Sequence, residues 1–147
     1  MYELVDFAAD KLGRTVFFNS SLSMEEKADC ALQYADLMIN AFEETGEAFF
    51  LMLARSFLGR MENDLYYRGG TDEQVIAVMD KNLYVMRKTE DMRMKNGALN
   101  SAFDRYGEAV SKNFFKYNLD YRSNAKDGRR AELLKNPDYR AVLDKYK

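Results

Sequence analysis

Pro137 is the only proline in this chain, and only eight glycines are scattered through its 147 residues. So few breakers leave little to interrupt a helix and little of the turn chemistry that a strand-and-turn sandwich needs. The apolar residues agree. Met24, Ala28, Ala31, Ala35, Met38 and Phe42 recur at helical spacing, flanked by Leu32 and Ile39, while Glu25, Asp29, Gln33, Asp36, Asn40 and Glu43 take the other face. Ser23 precedes Glu26 by three residues, the spacing of a capping box, and Gly46 suits a C-terminal cap. The pattern predicts a helix over 24–45.

Four more helices follow by the same reasoning, and one precedes. Leu4, Val5, Ala8 and Leu12 predict a short helix over 2–12 that stops near Gly13. The segment from 47 to 67 is apolar on well over half its circumference, through Phe49, Phe50, Leu51, Met52, Leu53, Phe57, Leu58, Met61 and Leu65. A helix this apolar is expected to be central, and Gly59 offers room for a close neighbour. Thr71 and Gln74 form a second capping box for a helix over 72–95, with Val75, Ile76, Met79, Leu83 and Met86 as its stripe. Past Met86 that stripe meets Glu90 and Arg93, so its last two turns are expected in solvent or against a partner. A fifth helix is expected over 99–122. Asn136 as N-cap and Pro137 at the first helical position start a terminal one, after a possible helical turn at 129–135.

The run RTVFFN, residues 14–19, is β-branched and aromatic, the one strand-like stretch. No second run offers it a partner, so it is expected as an apolar loop or a short isolated strand. The length is that of one domain, and no linker-like run divides it. The fold class is therefore all-α: a single-domain bundle of five to six helices over residues 1–147.

The segment NFFKYNLDYR, residues 113–122, mixes four rings with charge. Stepping about 100° per residue from Phe103 brings Leu99, Tyr106, Val110, Phe114, Tyr117 and Tyr121 within about 60° of one another. Arg105, Lys112 and Lys116 fall near the opposite side. A base-stacking platform needs exposed rings with cations beside them. The periodicity instead predicts a buried aromatic stripe. Phe115 and Leu119 fit neither face. With Lys112 and Lys116 they form an apolar and basic flank, covered by the C-terminal segment or offered to a protein partner.

Function is bounded chiefly by exclusion. There is no histidine, which removes catalytic triads, His-ligated zinc and Glu-x-x-His di-iron sites. One cysteine, Cys30, leaves no internal disulfide and no zinc finger. No Gly-rich phosphate-binding or dinucleotide-binding motif is present, so no cofactor and no metal is expected. Acid–base candidates such as Glu43 with Glu47, or Glu62 with Tyr66, have ordinary helix-surface spacing, and no catalytic residue is assigned. Acids that come as early as Glu3, Asp6 and Asp10 argue against a signal peptide, and no apolar run suffices to span a bilayer; a cytoplasmic location is expected.

Charge is distributed unevenly. Residues 1–80 carry 15 acids and 6 bases, whereas residues 81–147 carry 9 acids and 16 bases, within an overall charge of −2. Such a split gives opposed faces, or halves that attract each other. The acidic side of the 24–45 helix (Glu25, Glu26, Asp29, Asp36, Glu43, Glu44) is a candidate docking face for a basic protein, including one that normally holds a phosphate backbone. The basic segment 122–147, through Arg122, Lys126, Arg129, Arg130 and Arg140, is the alternative: a nucleic-acid contact, weakened by interspersed acids and a pI near 5.3. The expected function is non-catalytic protein–protein interaction, of the accessory or inhibitor kind that a phage or other mobile element carries. A homodimer is the nearest competitor to a foreign partner.

Overall fold

A computed structural model describes residues 21–95 and 114–147. The expected helix over 2–12, the run at 14–19 and the expected helical residues 99–113, Lys112 among them, lie outside the described residues. Six helices and no strand occur among those described: α1 (Met24–Thr45), α2 (Ala48–Arg68), α3 (Asp72–Lys95), α4 (Phe114–Ser123), α5 (Gly128–Leu133) and α6 (Pro137–Lys145). The protein is a helical bundle.

Local chemistry sets the ends. Ser23 Oγ accepts from Glu26 N at 3.1 Å while Glu26 Oε1 accepts from Ser23 N at 3.1 Å, so two otherwise orphaned donors at the start of α1 are satisfied reciprocally. Thr71 and Gln74 do the same at the start of α3. Asn136 Oδ1 accepts from Asp138 N, with Pro137 at the first helical position of α6. The α2–α3 corner needs glycine twice over. Gly69 has φ of +88°, and a Cβ on Gly70 would collide with the Leu65 side chain.

Short connections make α1, α2 and α3 an antiparallel trio. α2 lies at its centre, burying Phe49, Phe50, Leu51, Met52, Leu53, Phe57, Leu58, Met61 and Leu65. Each such side chain contributes roughly 1.5–3 kcal/mol on leaving water. Tyr34 of α1 meets Phe57 with ring centroids 4.7 Å apart. The apolar excess of α2 is thereby largely covered by neighbouring helices. Among the described residues nothing lies within 4 Å of a Cβ at Gly59, so that glycine marks no close helix approach.

α4 and α6 pack on α3, and α5 rests against α2. Past Met86, α3 is still covered at Thr89, which is buried, and at Glu90, whose Oε1 accepts from Phe115 N of α4 at 3.3 Å, while Asp91 is exposed. α4 itself is rotated relative to expectation. Phe115, Leu119 and Arg122 face inward, and Phe115 packs edge-on against Tyr146, at 5.9 Å. Tyr117 and Tyr121 are 68% and 53% exposed. The buried face thus lies about 120° from the one that stepping from Phe103 predicts. Tyr117 and Tyr121 are therefore not core, which corrects the expectation. Phe115 and Leu119 are covered, Phe115 by Tyr146 of the C-terminal segment, the first of the two expected alternatives, and offer no exposed flank to a partner.

Candidate functional site

The deepest polar cluster begins on α2. Glu62 and Tyr66 lie one helical turn apart on a shared face. The sequence reads this pair as surface, but both are buried, Glu62 to 2% exposure. Arg122 of α4 reaches the carboxylate in a bidentate fork, Nε to Oε2 at 2.9 Å and Nη2 to Oε1 at 2.8 Å. Asn82 of α3 adds Nδ2 to Oε1 at 2.9 Å, and Arg122 Nη1 donates to Asn118 O at 2.8 Å. Three helices thereby converge on one buried charge pair.

Burial alone would raise the Glu62 pKa. The Arg122 charge and hydrogen bonds, with help from Asn82 and Tyr66, outweigh it and hold the carboxyl below its ordinary value of 4.5. Burial likewise pulls Arg122 down, and Glu62 more than restores it, so the guanidinium stays charged. The Tyr66 hydroxyl shares a 2.8 Å hydrogen bond with Tyr139 of α6. Burial, and for Tyr66 the Glu62 charge, push both phenols above their ordinary value.

The cluster opens to the surface through Arg130. Its guanidinium carbon lies 4.1 Å from the Tyr66 ring centroid, 5.2 Å from Tyr121 and 5.7 Å from Tyr67. Nη1 donates to Tyr67 Oη at 3.2 Å, while the buried Nε finds no hydrogen-bond partner. These residues, with Asp120, the loop 124–127 and the first residues of α5, line a cleft of about 670 Å³.

The other predicted cations divide. Arg129 clamps the α2–α3 corner, donating to Leu65 O at 3.1 Å, to Gly70 O, and to Asp72 Oδ1 at 3.2 Å. Asn136 holds the second oxygen of Asp72. Arg122 and Arg129 are therefore engaged internally and do not form a phosphate-binding row; this corrects that reading of the 122–147 segment. Lys126 and Arg140 are exposed and make no ion pair with a described residue. Lys116 pairs with Asp120 at 2.6 Å on the outer side of α4.

The acidic candidates share one exposed side of α1: Glu25, Glu26, Asp29, Asp36, Glu43 and Glu44. Glu26 is occupied by its capping box, and Asp36 binds Lys81 of α3 at 2.7 Å. The remaining four pair with no described residue. Each long-range ion pair between described residues joins an acid of residues 1–80 to a base of 81–147: Asp36–Lys81, Glu62–Arg122, Asp72–Arg129 and Asp80–Lys145. The two halves of the chain do attract each other.

Among the described residues no group of three or more His, Cys, Asp or Glu side chains is placed to hold a metal, and no helix is long and apolar enough to cross a membrane. Comparison with known proteins yields no family model, curated protein or solved structure that matches this chain.

Proposed function

We propose that this chain is a non-catalytic module that binds another protein by laying the acidic side of α1 on a basic surface. One observation carries the reading. Glu25, Asp29, Glu43 and Glu44 stand exposed, without an ion pair to a described residue, along a helix about 33 Å long. Glu25 suits the first turn, but stability gives no reason for the acids at the other end. Glu43 and Glu44 occupy the last turn, where the helix dipole disfavours anions, and that turn holds no base. Leu37, 64% exposed, adds an apolar contact to the same stretch. A row of carboxylates this long competes for cationic grooves that otherwise hold phosphates, which suits an accessory or inhibitor role.

The test is affinity capture from cell extract with the native chain and with a Glu25→Lys/Asp29→Lys/Glu43→Lys/Glu44→Lys variant of unchanged helical content. The expected result is a retained protein that the variant loses and that salt releases. An identical set retained by both chains overturns the reading. Sedimentation at micromolar concentration separates a foreign partner from a second copy: a dimer dispersed by the same substitutions assigns the face to self-association.

A further inference from the structure

Tyr117 and Tyr121, which sequence periodicity places in the core, lie on the surface beside Tyr67. Tyr67 is 71% exposed, and Tyr117 and Tyr121 stack with centroids 6.5 Å apart and an interplanar angle of 23°. Arg130 lies against Tyr66, Tyr67 and Tyr121 at once. A guanidinium offers five N–H donors. Here Nη1 supplies the one protein hydrogen bond, to Tyr67, and neither Nε nor Nη2 donates to a described residue. Lys126, on the rim of the same cleft, is exposed and makes no ion pair with a described residue. Rings and cations therefore stand side by side, the arrangement a base-stacking surface requires.

We infer that the cleft between Tyr67, Tyr121, Lys126 and Arg130 binds a nucleotide unit, its base stacked on a tyrosine face and its phosphate held by Arg130 and Lys126. The rings and cations of the cleft favour this combination; of its two carboxylates, Asp120 is held by Lys116 and Asp127 opposes a phosphate from the rim. A bare anion leaves the rings in water, and an apolar or basic group leaves the guanidinium donors without acceptors. A planar base joined to a phosphate satisfies both. Such a unit comes either as a free nucleotide or within a single strand. The ring row continues past the cleft to Tyr117, which gives a strand room for a second base. This site lies on other helices than the acidic side of α1, and the inference stands independently of the protein-docking reading.

Adenosine monophosphate and a fluorescent oligothymidylate of about ten nucleotides are the two probes. Binding of the oligonucleotide, weakening roughly sevenfold between about 50 and 200 mM salt for two phosphate contacts, identifies a strand ligand. Saturable binding of the mononucleotide alone identifies a free nucleotide. In either case Tyr121→Ala and Tyr67→Ala, both exposed positions that leave the bundle intact, weaken binding roughly tenfold each. Arg130→Gln weakens it further and flattens the salt response. Failure of both probes to bind at millimolar concentration overturns the inference, and so does binding that neither tyrosine substitution alters.

Discussion

Glu62 and Asp29 are both carboxylates on long helices, and the bundle treats them in opposite ways. Glu62 sits in the interior, gripped by Arg122 and Asn82 from two other helices. Asp29 sits in water with no described ion partner. The basic half of the chain explains the contrast. Its cations Lys81, Arg122, Arg129 and Lys145 join α3, α4, α5 and α6 to acids on α1, α2 and α3. Four carboxylates that they do not reach, Glu25, Asp29, Glu43 and Glu44, lie on the outer side of α1. The modest net charge of −2 therefore conceals an internal set of cross-links and an external acidic strip.

Breaking the interior pair separates the two environments most sharply. Glu62→Ala leaves Arg122 buried without a counter-charge and is expected to cost about 3–5 kcal/mol in chemical denaturation. Asp29→Ala is expected to stay within about 0.5 kcal/mol of the native chain. Equal effects would erase the distinction.

The pH dependence of stability sharpens it further. The folded Glu62 pKa lies below 4.5, so its contribution is complete above that value and lost as pH falls through the folded pKa. The phenols of Tyr66, Tyr139 and Tyr146 are raised above 10.0, chiefly by burial. Their contribution is complete below pH 10.0 and is lost as pH rises toward the folded values. Thermal unfolding followed by circular dichroism should show a plateau falling at both ends. In Glu62→Gln, the acid-side loss should shrink.

Smaller changes probe the edges of each region. Tyr139→Phe removes the hydrogen bond to Tyr66 and should cost about 1 kcal/mol. Replacing Glu43 and Glu44 by Gln removes anions from the negative end of α1 and should raise the melting temperature slightly at low salt, an effect that disappears at high salt. A fall in stability there would show that the strip serves the fold.

The contrast also explains what the sequence discloses. Both capping boxes and the Asn136–Pro137 start are legible because each pairs groups within three residues of each other. The central place of α2 is legible because it is apolar around most of its girth. Glu62 and Arg122 lie 60 residues apart, and no local pattern announces that they meet. The orientation of α4 fails for another reason. Tyrosine has an apolar ring and a polar tip, so periodicity counts it as core while water accepts it readily. Spacing of Phe115, Leu119 and Arg122 at four and then three residues carries the correct face, but more numerous tyrosines outweigh it. The Tyr67–Tyr121–Arg130 cleft draws on α2, α4 and α5, so it exists only once those helices have packed.

A double-mutant cycle of Glu62→Leu and Arg122→Met, read by equilibrium denaturation, tests the division of charge most directly. Strong coupling, above about 2 kcal/mol, with the double variant restored close to native stability, is the predicted result. Additive losses with no coupling would mean that these side chains do not meet, and that no buried charge pair ties α4 to α2.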